Sequence, residues 1–267
     1  MNMKNRIDQT FEDLKRRNRK ALIAYITAGD PNLSTTEHLV YAMEKSGVDM
    51  IELGIPFSDP LADGLTIQEA SKRALDKGVT VAKIFDLVRS IRCHSEIPLL
   101  FMTYYNPVFH YGLNRFVAKC KDVGIDGLII PDLPPEEAGQ LRKLALKENI
   151  STVFFVAPTT TDERIKSNAT ASTGFVYYVA LTGVTGNAKA KSSDVIKCIK
   201  HAKKFTTKPI CAGFGISTPA QVKEIAQVAD GVIIGSAIIK EIQKHAGKSD
   251  LVSSVSIFVR SLSEALS

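Results

Sequence analysis

Short apolar runs and amphipathic segments alternate along most of the chain. The runs are rich in Ile, Val, Phe and Tyr, and the segments between them have helical periodicity, as in residues 113–123 and 136–148. Two segments begin with the pattern of a helix-capping box, at Thr160 and Thr218. Near-continuous apolar strands separated by helices indicate parallel pairing through crossovers. The runs predicted to be strands are residues 21–27, 50–55, 99–104, 127–130, 152–156, 175–179, 209–212 and 231–234.

Eight such units predict a closed (β/α)8 TIM barrel of the α/β class. An open doubly wound sheet is less favoured, because closure leaves no exposed parallel edge. Extra helices are predicted at residues 7–17, which should cover the bottom of the barrel, at 82–92, and at 251–265. No linker divides the chain, and barrels of about 250 residues form one domain. We therefore expect a single domain spanning residues 1–267.

The charge and cysteine patterns exclude several classes of protein. A net charge of +6 could indicate a nucleic-acid partner, but the lysines are spread along helices rather than gathered among aromatics. The chain has no signal-peptide pattern and no stretch near about 18 apolar residues, so we expect a cytoplasmic protein without a membrane partner. The cysteines show no metal-site spacing and are expected to be free thiols: Cys93, Cys120, Cys198 and Cys211.

The second apolar run carries a carboxylate inside it. Glu52 points to the opposite face from Ile51 and Leu53, because successive strand side chains alternate. If both faces are covered, burial should raise its pKa and make it a usable general acid or base. The following loop ends at Asp63. The alternative is that Glu52 pairs with a buried Lys or Arg and that Asp63 caps the next helix, but catalysis is favoured at the carboxyl ends of barrel strands.

Glycine turns follow the last three predicted strands, at residues 182–186, 213–217 and 235–236. Such turns feed helix N-termini, where backbone N–H groups and the helix dipole bind phosphate. We therefore expect a phosphate ester substrate, although each turn alone is more often only a tight turn. Residues 186–193 are predicted to form a lid, with a plain solvent loop as the alternative. Motifs for zinc proteases, P-loops, nucleophile elbows and Schiff-base lysines are missing from the sequence, which favours metal-free acid–base chemistry.

Three motifs carry a family resemblance. Residues 51–64 with 66–68, residues 182–186 and residues 213–216 closely resemble the tryptophan synthase α chain, and the similarity extends from residues 25–31 to the last helix. The resemblance implies an aldolase-type cleavage of indole-3-glycerol phosphate to indole and glyceraldehyde 3-phosphate. Glu52 would move protons at the glycerol hydroxyl and at indole C3, and Asp63 would accept the indole N–H hydrogen bond and stabilise positive charge on the ring.

The same resemblance assigns substrate-binding residues. Tyr177 would line the site and contact Glu52, and Tyr25 and Met102 would pack the indole. The residues placed around the phosphate and its turn are Thr185, Gly186, Gly215, Gly235 and Ser236.

The family works as an α2β2 complex in which a β chain carries pyridoxal phosphate and receives the indole, while the α chain has no cofactor. By resemblance, residues 56–60 and 106–107 would face the β chain. Two alternatives remain open: a stand-alone indole-glycerol-phosphate lyase, and a barrel that acts mainly as an allosteric binding subunit.

Three positions depart from the family pattern: Leu65 replaces a usual proline, Ala180 a common serine, and Asn187 a usual alanine. Leu65 should loosen the start of the helix predicted at residues 66–77, because proline would preset its φ angle.

Overall fold

The computed structural model describes residues 4–180, 192–213 and 215–266. The strands in these ranges are β1 Ala21–Thr27, β2 Met50–Gly54, β3 Leu99–Met102, β4 Gly127–Ile129, β5 Ser151–Val153, β6 Phe155–Val156, β7 Val176–Val179, β8 Ile210–Gly213 and β9 Gly231–Ile234. The helices are α1 Arg6–Arg16, α2 Leu33–Lys45, α3 Leu65–Asp76, α4 Val81–Arg92, α5 Tyr105–Tyr111, α6 Leu113–Val123, α7 Gly139–Lys147, α8 Asp162–Ala171, α9 Ser192–Ala202, α10 Pro219–Ala226, α11 Ser236–Lys244 and α12 Leu251–Glu264.

The strands form one parallel sheet in the order β5-β4-β3-β2-β1-β9-β8-β7-β6. Its two end strands, β5 and β6, are consecutive in the chain and are separated only by Phe154, so the sheet curves into a nearly closed barrel. The predicted TIM barrel is confirmed. The prediction of one continuous strand over residues 152–156 is wrong. The Phe154 amide donates instead to the Ser172 hydroxyl (3.0 Å), which interrupts the strand there.

The core has an inner and an outer layer. Ile51 and Leu53 pack in the outer layer, between the strands and the helices, whereas Met50 packs inside the barrel. This alternation is the one predicted for the second strand. Ile7 and Leu14 of α1 join the inner cluster, so α1 covers the bottom of the barrel as predicted.

Several helices begin at residues other than those predicted. The capping box at Thr218 is confirmed, but the one predicted at Thr160 is wrong. Thr161 is the N-cap of α8, and the Thr160 hydroxyl accepts from the Ala157 amide (2.9 Å) in the preceding turn. α3 begins at Leu65 rather than at residue 66, with Gly64 as a cap that offers no side-chain hydrogen bond. α7 begins at Gly139 rather than at residue 136.

Two general features complete the architecture. Among the described residues, no helix combines the length and the apolar character needed to cross a membrane. The four cysteines are free, and Cys120 and Cys211 are buried.

A buried ionic network ties the lower ends of the strands to two helices. The Asp126 carboxylate, which is 4% exposed, accepts from the guanidinium groups of Arg92 (2.9 Å) and Arg6 (2.9 Å) and from the Leu99 amide (3.0 Å). Burial raises the pKa of Asp126, and these three donors oppose the rise. Arg92 also donates to the carbonyl oxygens of Gly124 (2.9 Å) and Ile97 (2.7 Å). The network lies at the N-terminal face of the barrel, where polar residues serve stability rather than catalysis.

Asp126→Ala should destabilise the fold by about 3–5 kcal/mol, because it leaves the buried Arg92 charge without its partner. Urea unfolding followed by circular dichroism measures the change. Asp122→Ala is the matched control, since Asp122 makes exposed pairs with Lys119 (2.8 Å) and Arg89 (3.1 Å) and should have little effect. Equal unfolding midpoints for the two variants would contradict a structural role for the Asp126 network.

Candidate active site

Glu52 lies inside the barrel on β2, in register with Tyr25 on β1 and Leu100 on β3. Its side chain is fully buried, and neither carboxylate oxygen has a hydrogen-bond partner among the described residues. Burial raises the pKa of Glu52 to about 8. The alternative that Glu52 pairs with a buried Lys or Arg is therefore wrong for this part of the chain. An unpaired carboxyl of this kind stays protonated near neutral pH and can act as an acid.

Asp63 lies in the loop after β2, half-buried beside Tyr104. The Tyr104 hydroxyl accepts from the Ala62 amide (2.8 Å) and donates to the Asp63 carboxylate. Burial raises the pKa of Asp63 to about 6, and the Tyr104 hydrogen bond opposes that rise. The alternative that Asp63 caps α3 is wrong, because Gly64 is the cap and no side chain bonds there. Asp63 is thus free to present its carboxylate to a ligand.

Two aromatic residues that were not among the predicted substrate-binding residues lie beside Asp63. The rings of Phe57 and Tyr104 lie 5.5 Å apart, and both line a small pocket with Asp63, Tyr25 and Met102. The position of Tyr104 just beyond β3 could have indicated its role, since barrel active sites collect residues from strand ends. Its hydrogen bond to Asp63 joins residues 41 positions apart in the chain, and no sequence pattern predicts that contact.

A larger cavity of about 580 Å³ opens at the same end of the barrel. Six of the predicted substrate-binding residues line it: Tyr25, Met102, Tyr177, Gly215, Gly235 and Ser236. The predicted Thr185 and Gly186, the departure Asn187 and the predicted lid up to residue 191 lie outside the described residues. Tyr25 and Met102 also line the pocket around Asp63, so the two spaces adjoin.

Two glycines make room for the tyrosines of the site. A side chain at Gly54 would collide with the Tyr25 hydroxyl, and a Cβ at Gly213 would lie 2.6 Å from the Tyr177 hydroxyl. The rings can therefore lie against the neighbouring strands. Burial raises the pKa of Tyr177, and the charge of Glu52 adds to the rise, which indicates that Glu52 and Tyr177 face the same space. Both tyrosines remain neutral hydrogen-bonding groups near neutral pH.

The N-termini of α10 and α11, both near the cavity, differ in how many backbone amides are free to bind an anion. Gln221 accepts from the amides of Ser217 (2.9 Å) and Thr218 (3.2 Å), so the start of α10 is already satisfied. α11 follows Gly235 without any side-chain cap, and both Gly235 and Ser236 line the cavity. Free N–H groups and the positive end of the helix dipole favour an anion at such a terminus. Gly215 adopts φ +44°, a left-handed conformation that favours glycine.

The described residues contain no group of three or more His, Cys, Asp or Glu side chains arranged to hold a metal ion. The described side chains offer two carboxyls in different states. Glu52 is buried and protonated, whereas the pKa of Asp63 is raised only to about 6, so Asp63 is ionised at neutral pH. Environments that push the pKa values of two carboxyls apart divide acid and base roles between them.

Comparison with known proteins agrees with this geometry. The family described as "Tryptophan synthase alpha chain" matches residues 11–267. A tryptophan synthase alpha chain from a Thermoanaerobacter species is 50% identical, over 98% of this chain and 100% of its own length. That of Geotalea daltonii is 47% identical, over 91% of this chain and 92% of its own. The crystal structure of tryptophan synthase subunit alpha from Legionella pneumophila superposes with a TM-score of 0.93 at 37% identity and covers 99% of both chains. The chain therefore belongs to the tryptophan synthase alpha chain family.

Proposed function

We propose that this chain cleaves indole-3-glycerol phosphate to indole and glyceraldehyde 3-phosphate, with Glu52 as the acid–base group and Asp63 as the electrostatic partner of the ring nitrogen. The observation that carries the proposal is the difference between the two carboxyls. Glu52 is buried without a hydrogen bond, with a pKa raised to about 8, whereas the hydrogen bond from Tyr104 opposes the rise at Asp63, whose pKa reaches only about 6. Between these values one group holds a proton and the other is an anion.

The proposed reaction uses both states. The Glu52 carboxyl donates its proton to indole C3, and the ring nitrogen becomes positive beside the Asp63 carboxylate. The bond from C3 to the glycerol carbon then breaks, and its electron pair returns to the ring. As the aldehyde forms, the Glu52 carboxylate accepts the hydroxyl proton and is protonated again. One buried group thus performs both proton transfers, and no cofactor is required in this scheme.

The residues that line the site support this orientation of substrate. The small pocket beside Asp63 is lined by Phe57, Tyr104 and Met102, which suit an aromatic ring. The adjoining cavity reaches the uncapped start of α11, which suits a phosphate group. We propose that Gly215, Gly235 and Ser236 hold the phosphate, with Thr185 and Gly186, and that Tyr25, Met102 and Tyr177 line the path between the two ends.

We also propose that the chain works with a β chain in an α2β2 complex and that pyridoxal phosphate is bound only by that partner. Leu61 and Leu65 flank Asp63 and are 93% and 76% exposed, and Phe109 of α5 is 66% exposed. Large exposed apolar side chains around a site mark an interaction surface. Residues 56–60 and 106–107, predicted to face the partner, adjoin these three.

An indole-release assay on the purified chain, with and without an added β chain, tests the function directly. Cleavage that the β chain accelerates supports the proposal. Full activity without any effect of the β chain would indicate a stand-alone lyase. Binding of the β chain without cleavage in either condition would indicate an allosteric subunit.

Glu52→Gln should lower the cleavage rate by at least ~10², the size typical for loss of general acid–base help. Folding and phosphate binding should persist, because the wild-type carboxyl makes no hydrogen bond that the amide would break. Stopped assays of indole release and a phosphate titration measure the two effects. Turnover of the variant at the wild-type rate would contradict the role of Glu52 as the acid–base group.

The same variant changes the pH dependence of stability. Between about pH 4.5 and about pH 8, the folded wild type holds a proton on Glu52 that the unfolded chain releases. The free energy of unfolding therefore falls as pH rises through this window, by at most ~1.4 kcal/mol per pH unit from this group. Glu52→Gln lacks this loss. Urea unfolding of both proteins across the window should show the variant gaining relative stability as pH rises, and parallel curves would contradict the raised pKa.

The profile of kcat/KM against pH should be bell-shaped, with limbs near about 6 for Asp63 and about 8 for Glu52. Tyr104→Phe removes a hydrogen bond that holds the pKa of Asp63 down, so the acidic limb should move to higher pH. Tyr105→Phe is the control, since burial and Tyr104, and not Tyr105, set the pKa of Asp63 and the limb should stay in place. An acidic limb that does not move in Tyr104→Phe would assign it to another group.

Inorganic phosphate should bind the free protein and raise its melting temperature by mass action. Gly235→Val should abolish this shift by covering the first amides of α11, while the added Cβ itself would make only ordinary contact with Tyr25 (3.4 Å). Gly139→Val, at the start of the exposed helix α7, should retain the shift. If phosphate stabilises Gly235→Val as it does the wild type, the anion is bound elsewhere.

A further inference from the structure

One side chain at the cavity has a charge that the glycine turns and the helix terminus lack. Lys240 lies four residues after Ser236 on α11, and both residues line the cavity. Residues four apart share one face of a helix, and helical side chains lean toward the N-terminus. Lys240 therefore lies on the same face of α11 as Ser236, one turn beyond the uncapped amides at the helix start.

Lys240 is the only cation among the described residues that line this cavity. The one carboxylate beside it there, Glu241, is engaged by Lys244 (3.5 Å) and by the His245 imidazole (3.2 Å). Lys240 takes part in no ion pair within the described part of the chain, and its side chain is exposed. Within the described ranges, the cavity thus presents one cation whose charge no carboxylate in its lining offsets.

We propose that Lys240 is a specificity-determining residue that selects the dianionic phosphate of the substrate. This inference rests on the proposed function and deepens it. Backbone amides and the helix dipole supply partial charges, whereas a phosphate monoester carries about −1.5 to −2 charges at neutral pH. A full positive charge at the cavity attracts such a group and discriminates against neutral analogues. Because Lys240 lies in water, salt screens its contribution.

Lys240→Gln should raise KM for indole-3-glycerol phosphate by ~3- to 5-fold at low ionic strength, the range for an exposed charge pair, with kcat unchanged. Lys240→Glu should raise KM further. At about 1 M salt, where the Debye length is about 3 Å, the KM values of both variants should converge on that of the wild type. A lysine that only supported the helix would not give an effect that salt removes.

Lys223→Glu is the matched control, because it makes the same change of net charge on α10, outside the residues that line the cavity. It should leave KM and its salt dependence unchanged. Binding of inorganic phosphate, followed by titration calorimetry, should weaken in Lys240→Glu and not in Lys223→Glu, while binding of neutral indole should be the same in both. Equal phosphate affinity in the two variants, or an equal rise of KM, would overturn the inference.

The two proposals fail in different ways. A wild-type chain that releases no indole, alone or with a β chain, contradicts the proposed function whatever Lys240 does. A wild-type chain that cleaves the substrate with a KM that ignores Lys240→Glu contradicts only the role of the lysine. Phosphate binding that depends on Lys240 supports the role of the lysine independently of turnover.

Discussion

The burial of Glu52 without a hydrogen-bond partner in the described part of the chain is the constraint on which the site depends. A charged carboxylate there would lack both water and a counterion, so the folded chain keeps the proton. β2 holds the side chain in place through its ladders to β1 and β3, and Met50 packs one layer below it in the barrel interior. The rigidity of the barrel thus maintains an electrostatic environment that a loop could not hold closed to water.

A buried carboxylate lies at each end of the barrel, and the two differ in their hydrogen-bond partners. At the bottom, Asp126 has two guanidinium partners and a backbone amide, so its charge is compensated and the group supports the fold. At the top, Glu52 has no hydrogen-bond partner among the residues that the structure describes, so burial favours its protonated form and leaves it able to donate a proton. Burial raises the pKa of both Asp126 and Glu52. The difference is that Asp126 has hydrogen-bond donors that stabilise its charge and give it a structural role, whereas Glu52 is left as an acid.

The parts of this architecture that depend on local pattern were predictable from the sequence. Alternation along residues 50–55 placed Glu52 inside, and the Thr218 capping pattern fixed the start of α10. The N-cap at Thr161 was not, because the Ala157 amide engages the Thr160 hydroxyl in a local turn, and the interruption at Phe154 was not, because it depends on the distant Ser172 hydroxyl. The aromatic pair beside Asp63 was missed for the same reason. The Thr218 capping pattern also implies that Gln221 satisfies the start of α10, whereas no pattern in the sequence showed that α11 begins at Gly235 without a side-chain cap.

Two side chains shared by the pocket and the cavity explain how one ligand could span both ends of the site. Tyr25 and Met102 line the pocket at Asp63 as well as the cavity that ends at α11, so the two form a shared wall. The pocket at Asp63 has a volume of only about 10 Å³, room for about one water molecule, so an indole ring would need its lining, which includes Phe57, to rearrange. Phe57 lies in the same loop as Asp63, with Leu61 exposed between them. A partner that covered this loop would therefore act directly on the proposed ring-binding end, whereas the end proposed for phosphate is built on α11 and fixed to the barrel.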